Sequence, residues 1–321
     1  MTGSAETPSS KLGELARRVL VAAVGVPLAV VAVWQGGWFL AALMAFVAGM
    51  GAREFFRLAG ARGGRPLMIP GVALAVFLPL VAAEFSSYGT LAPWAFGGAV
   101  VTTILALGGA VWTRGVEGSP LGAATATVVG ALYTGGTLTF ALLLRHLPDT
   151  VTAGGGLPGG MNPGAGAGPG MAGVDPARVI HGGFLIAFPI TVTWIGDSAA
   201  YFAGKRWGRN KLVPRISPGK TWEGGVAGLL AAVVTSVLFA LVFLDADRPL
   251  GMGVPMAVVS GLLIGVAAQL GDLTESVLKR EARVKDSGSL LPGHGGVLDR
   301  FDALFFTIPL GYLLVTLNFW L

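Results

Sequence analysis

Carboxylates, cations and glycines crowd into one stretch of this chain. Gln269-Leu-Gly-Asp272-Leu-Thr-Glu275-Ser276 leads through Lys279-Arg280 and Lys285-Asp286 to Pro292-Gly293-His294-Gly295-Gly296 and then Asp299-Arg300-Phe-Asp302. Asp299 and Asp302 are three apart, as are Asp272 and Glu275, and on a helix that spacing puts both members of a pair on one face. Either pair can grip one cation, and if the two helix ends pack together the acids converge. Hard oxygen ligands of this kind suit Mg²⁺, which keeps waters and takes further ligands from substrate phosphates. An acid inside an apolar span costs about 2.5 to 3.5 kcal/mol. A bound divalent ion offsets that cost, and so do ion pairs with Arg280 or Arg300. The plain alternative is therefore interfacial acids paired with arginines, although the glycines between them have no use in a simple ion pair.

The glycines around His294 immediately precede the last apolar run. There they let backbone N–H groups approach an anion at a helix N-terminus, where the dipole also favours negative charge. This reads as a phosphate cradle, with His294 placed to donate to a phosphate oxygen or leaving group, or else to satisfy loop carbonyls. A second polar stretch begins at Asp197-Ser198-Ala-Ala-Tyr201, passes Lys205-Arg206, and continues as Arg215-Ile-Ser217-Pro-Gly-Lys220-Thr221-Trp222-Glu223-Gly224. Its Gly-Lys-Thr is no P-loop, because the first glycine of that motif falls on Pro214 and no strand is expected ahead of it. What remains is a basic loop with Ser, Thr and Gly, suited to a triphosphate, with ordinary positive-inside topology as the alternative. Glu54, between Arg53 and Arg57, reads as an interfacial ion pair, and His146 and His181 as incidental.

These stretches need elements to hold them, and composition says which. The 321 residues are 53% hydrophobic and 12% charged, with a mean hydropathy of +0.72, so a bilayer is the natural solvent. The net charge of +5 does not argue for nucleic acid, since the basic residues sit in short loops between apolar runs. The absence of cysteine excludes disulfides, zinc thiolates and thiol nucleophiles.

Apolar runs long enough to span number about nine: 19–35, 37–52, 68–84, 92–112, 121–144, 179–203, 223–244, 254–274 and 303–321. With the N-terminus inside, alternation puts all of the 22 Lys and Arg on the cytoplasmic side except Arg145, Arg178 and Arg248, as the positive-inside rule requires. The expectation is an all-α, polytopic integral membrane helical bundle in the plasma membrane, with N-terminus and site cytoplasmic. Residues 1–18 form a cytoplasmic segment and 19–150 the N-terminal helices. Residues 151–178 form a Gly/Pro-rich external loop with Pro158, Pro163 and Pro169, and 179–321 a C-terminal catalytic region. No internal repeat supports an inverted-repeat transporter.

The stretch from Ser276 to Asp302 resembles the signature of the phosphatidate cytidylyltransferases, or CDP-diacylglycerol synthases. It does so through Ser276, Lys279, Arg280, Lys285, Asp286, Gly288, Pro292, His294, Gly295, Gly296, Asp299, Arg300 and Asp302. The segment from Asp197 to Gly224 is similar to the same family, whereas the N-terminal half matches in hydropathy only. The resemblance implies attack of phosphatidate on the α-phosphorus of CTP, giving CDP-diacylglycerol and pyrophosphate. It further implies Mg²⁺ with K⁺ as second cation, and a homodimer. Asp272, Asp299 and Asp302 correspond to the family's metal-binding acids. On that basis Lys285 and His294 join them as catalytic candidates. Asp197, Ser217, Lys220, Thr221, Glu223, Ser276, Lys279, Arg280, Asp286, Gly295, Gly296 and Arg300 are expected to bind substrate. Phosphatidate brings its own nucleophilic oxygen, so a chain without cysteine or an evident triad can still be an enzyme.

Two rivals differ at identifiable residues. The CDP-alcohol phosphotransferases use an early Asp-Gly and a four-residue step between their last acids, whereas here that step is three and Asp-Gly is absent. A cation channel or transporter needs acids near the midplane, and these lie at span ends.

Overall fold

The computed structural model describes residues 8–61, 65–114, 118–154, 176–244, 250–288 and 295–320. Its helices are α1 (Pro8–Gln35), α2 (Gly37–Gly60), α3 (Met68–Glu84), α4 (Tyr88–Arg114), α5 (Pro120–Ala131), α6 (Thr137–Gly154), α7 (Pro176–Trp207), α8 (Trp222–Phe243), α9 (Val254–Ala282), α10 (Leu298–Phe301) and α11 (Leu304–Trp320). A π-helical turn, Leu132–Gly136, joins α5 to α6. Seven described helical segments are long and apolar enough to cross a membrane. Two shorter apolar ones, Ala23–Gln35 and Met68–Glu84, bring the total to the nine expected. The protein is thus a multi-pass membrane protein of the all-α class. The central 155–175 part of the Gly/Pro-rich segment, and residues 1–7, lie outside the described residues.

Helices pack here without a hydrophobic drive between them, since lipid is as apolar as leucine, so close backbone approach does the holding. On α7 the small residues Gly196, Ala200 and Gly204 recur every fourth position, and on α8 Gly224, Gly228 and Ala232 answer them. A Cβ on Gly228 would lie 2.8 Å from Ala200 Cβ and 2.9 Å from the Gly196 carbonyl. α9 closes on the other side of α8, where a Cβ on Gly261 would meet Val233 Cα at 2.6 Å. Phe56, Phe188, Phe305, Leu138 and Leu142 fill the centre of the bundle.

The first two helices part at Gly36, whose φ of 65° is open to glycine at little cost. That break leaves carbonyls at the end of α1 and N–H groups at the start of α2 without intrahelical partners. α6 runs on past the expected boundary at 144 and supplies both. Arg145 donates from Nε to Val33 O at 2.7 Å and from Nη2 to Trp34 O at 3.0 Å, while His146 Nε2 accepts from Gly37 N at 3.1 Å. His146 is therefore a capping group, not the incidental residue expected from its position.

Among the described residues one element departs from an all-helical chain. Lys211–Val213 (β1) and Ser217–Thr221 (β2) form an antiparallel hairpin with Lys211 opposite Thr221 and Val213 opposite Ser217. The basic loop of the sequence is folded, and its Gly-Lys-Thr lies in β2.

Candidate functional site

The hairpin stands upright because its neighbours hold it. Trp222 N donates to Asn210 O at 3.0 Å, and Glu223 Oε1 accepts from the Asn210 backbone N at 3.1 Å and from its Nδ2 at 2.9 Å. Arg280, at the end of α9, donates from Nε to Ile216 O at 3.2 Å. Thr221 is buried and caps α8, its Oγ1 accepting from Gly224 N at 3.2 Å. Three residues expected at the substrate, Thr221, Glu223 and Arg280, thus have work in the fold, because a short two-stranded ribbon is marginal without such supports.

Between the hairpin, the last turns of α7, the start of α8 and the middle of α9 lies a cavity of about 680 Å³. Lys205, Lys211 and Lys220 line it together with Ser217, and Asp197 and Asp272 form its acidic wall. Lys220 Nζ sits 2.7 Å from Asp272 Oδ2. The positive side matches a polyphosphate, and the acidic side matches whatever cation accompanies it.

The two acidic regions of the sequence meet at this wall. Gly271 allows it: a Cβ there would lie 2.6 Å from the Asp302 carbonyl and 2.9 Å from Ala303 Cα, so α9 and the chain entering α11 touch backbone to backbone. Asp302 is consequently buried, within the electrostatic reach of Asp272, Asp197 and Lys279. It does not share one continuous helix with Asp299, as the three-residue spacing led one to expect. α10 ends at Phe301 and α11 begins at Leu304, and the Asp302 carboxylate accepts from Ala303 N at 2.8 Å within that break.

Asp299 is held from several sides. Its Oδ2 accepts from Ser287 N (2.9 Å), Ser287 Oγ (2.9 Å) and Gly296 N (2.8 Å). Its Oδ1 accepts from Lys279 Nζ at 2.8 Å. Lys279 also reaches Glu275 Oε2 at 2.7 Å, so this ammonium, expected at a phosphate, bridges two acids of its own chain. Among the described residues no three His, Asp or Glu side chains already stand close enough to ligate one ion unaided. Asp197 and Asp272, in the wall of a polyphosphate-sized cavity, are donors that fit a hard divalent cation taking its remaining ligands from substrate and water.

At the described end of the glycine cradle, and just past it, the amides are taken by the chain itself. Gly296 N goes to Asp299, and Val297 N and Leu298 N go to the two oxygens of Glu54 at 3.1 and 2.8 Å. Ser287 Oγ adds a third contact to Glu54, at 3.0 Å. The anion expected at these amides is the chain's own carboxylate, and Glu54, 2% exposed, is a buried acceptor and not an interfacial ion pair. Gly295 keeps a positive φ of 81° beside Asp299.

Of the remaining expected residues, Ser276 is half-buried on α9, Lys285 and Asp286 are exposed on the turn beyond it, and Arg300 is exposed on α10. Pro292, Gly293 and His294 lie outside the described residues. Tyr133 was not anticipated. It sits on the π turn with its ring 4.9 Å from Phe305. Its buried hydroxyl has no hydrogen-bond partner among the described residues, and it lies within the field of Asp302 and Glu275. A lone tyrosine in an apolar run carries no sequence signal for that position; the π turn does, since such bulges gather at functional sites.

Residues 16–318 match the model of the cytidylyltransferase family. The chain is 34% identical over 307 residues to a phosphatidate cytidylyltransferase of Synechocystis, covering 94% of this chain and 96% of that one. It is 46% identical over 132 residues to one of Haemophilus influenzae, covering 40% of this chain and 44% of the relative. With one of Bacillus subtilis it shares 47% over 132 residues, covering 41% and 47%. The alignments thus span less than half of the Haemophilus and Bacillus proteins and almost all of the Synechocystis one.

Proposed function

The chain belongs to the cytidylyltransferase family, and from that premise we propose that it makes CDP-diacylglycerol and pyrophosphate from CTP and phosphatidate. One observation carries this reading most directly. The lysine-lined cavity of about 680 Å³ is joined through the Lys220–Asp272 pair to the acidic junction of α9 and α11. A nucleoside triphosphate has the size and charge for the first part, and its α-phosphate has reason to sit at the second.

Lys205, Lys211 and Lys220 hold the triphosphate, Lys220 exchanging Asp272 for a phosphate oxygen. A phosphatidate oxygen forms the new bond to the α-phosphorus while the bond to the β-phosphate bridging oxygen breaks, its electron pair leaving with pyrophosphate. No protein nucleophile is needed, so the residues contribute alignment and charge neutralisation. Asp272 and Asp302 would hold Mg²⁺ together with substrate oxygens, and Asp299 would join them only by exchanging Lys279 for the ion at Oδ1. When bound, that ion neutralises the phosphate oxygens and the leaving group. A K⁺ ion as second cation, a homodimer, and a plasma-membrane location with the cavity facing the cytoplasm belong to the same proposal. The basic hairpin and the basic end of α9 support the orientation.

Purified protein in mixed micelles is expected to release pyrophosphate only when CTP, phosphatidate and Mg²⁺ are all present. Release without phosphatidate, or none with all three, overturns the proposal.

A further inference from the structure

We propose that Glu54 is a positioning residue for this reaction: from α2 it anchors both stems of the 287–298 segment and so fixes Asp299 against α9. The inference rests on the function proposed above and adds a residue from the N-terminal half of the chain to the machinery. Its partners are far away in sequence, with 233 residues to Ser287 and 244 to Leu298, so no local preference of the loop accounts for them. One carboxylate oxygen takes Val297 N, and the other takes Ser287 Oγ and Leu298 N. Gly288 and Gly296 each present their Cα to the same carboxylate so closely that a side chain at either would collide with it.

Charge explains why a glutamate is required. A buried carboxylate is tolerable only when donors surround it, and two backbone N–H groups converge here with the Ser287 hydroxyl, whose one proton Glu54 shares with Asp299. The same Ser287 hydroxyl that touches Glu54 lies 2.9 Å from Asp299 Oδ2. Glu54 therefore acts on Asp299 through Ser287 and through the chain at 296–298, without facing the nucleotide cavity, whose lining comes from α7, the hairpin, α8 and α9. Neutral glutamine keeps the shape but turns an NH₂ group towards donors, which releases one stem.

That separation gives the test. In Glu54→Gln, kcat is expected to fall about 100-fold, the effect of a displacement near 1 Å at reacting groups. CTP affinity should stay within about threefold, because the cavity shares no partner with Glu54. Amides of 295–298 should exchange with solvent about tenfold faster or more. Ser287→Ala removes one arm and leaves the backbone bonds, so it is expected to fold normally and lose about tenfold in kcat. Wild-type turnover in both variants, unchanged exchange in Glu54→Gln, or CTP binding lost in step with turnover each overturns the inference, the last because it reports general collapse. A wild-type protein that makes no CDP-diacylglycerol sinks the proposed function instead, while exchange in wild type and Glu54→Gln still decides the anchor.

Discussion

Lys220 and Asp272 lie 2.7 Å apart, Nζ to Oδ2, and their contact joins a strand of the hairpin to the middle of α9. Their side chains are 22% and 40% exposed, so water screens the pair and it adds about 1 kcal/mol or less to stability. A weak pair at this place is one that a phosphate can part.

Replacing Lys220 by Met should therefore leave the fold almost untouched and weaken CTP binding. A hydrogen bond from a charged donor is worth about 1.5 to 3 kcal/mol, or roughly 10- to 150-fold in affinity. Equilibrium CTP binding and thermal unfolding of the detergent-solubilised variant check this together. Undiminished CTP affinity removes Lys220 from the triphosphate site.

Lys279 behaves in the opposite way, because the acids it bridges are buried: Glu275 is 2% exposed and the Asp299 side chain 8%. Removing the ammonium leaves two carboxylates without their counter-ion, and breaking a buried pair costs about 3 to 5 kcal/mol. Lys279→Met should thus lower the unfolding temperature markedly. The double variant Lys279→Met, Glu275→Gln should recover part of the loss. A single variant as stable as wild type shows that the bridge does not matter to the fold.

Much of this architecture was legible from apolar run lengths, since nine runs of that length admit only helices in lipid, and the basic loops marked one end of them. The convergence of Asp272 with Asp302 was also legible in kind, as acids bordering apolar runs, although α9 continues to Ala282 and leaves Asp272 near its middle. The hairpin was not, because Ser217-Pro-Gly-Lys-Thr has no strand-like alternation and is held by Glu223 and Arg280 from outside. The partner of the Gly296 amide was not legible for a physical reason: glycine amides look alike whether the anion they meet is a substrate or a side chain such as Asp299. Glu54 left one unused signal. Arg53 and Arg57, four apart, mark the exposed face of α2, and helical geometry turns Glu54 inward among Gly51, Phe55 and Leu58.

Gly271 tests the contact that makes the acids meet. A methyl group there faces the Asp302 carbonyl and Ala303 Cα, which are backbone atoms without rotamers to yield. Overpacking of this kind costs about 1 to 3 kcal/mol. Gly271→Ala should be less stable by that amount, and its turnover should fall further than its CTP affinity, since the displaced partner is Asp302. Normal turnover and stability show that α9 and α11 have room to spare.

Asp299 and Asp302 are both expected to be indispensable, but for reasons that can be told apart. Asp302 has one described hydrogen bond, from the adjacent Ala303 N, and is buried near the like charges of Asp272 and Asp197 as well as the opposite charge of Lys279, so removing its charge relieves desolvation and repulsion at the loss of one attraction. Asp302→Asn should keep or raise thermal stability while turnover drops about 100-fold or more, as when an electrostatic group at a reacting centre is lost. Asp299 takes hydrogen bonds from Lys279 Nζ, Ser287 N and Gly296 N, and shares the one Ser287 hydroxyl proton with Glu54. An asparagine NH₂ in place of either oxygen meets donors. Asp299→Asn should therefore lose turnover to a similar degree and also unfold at lower temperature, with faster amide exchange at Ser287 and Gly296. Mg²⁺ titration of turnover separates the roles further: raising the ion concentration should partly restore Asp299→Asn, whose oxygen Oδ1 can remain, and should restore Asp302→Asn less, since its one remaining oxygen accepts from Ala303 N. Near-normal turnover in either variant excludes that residue from the cation site, and equal stability of the two excludes Asp299 as a support of the 287–298 segment.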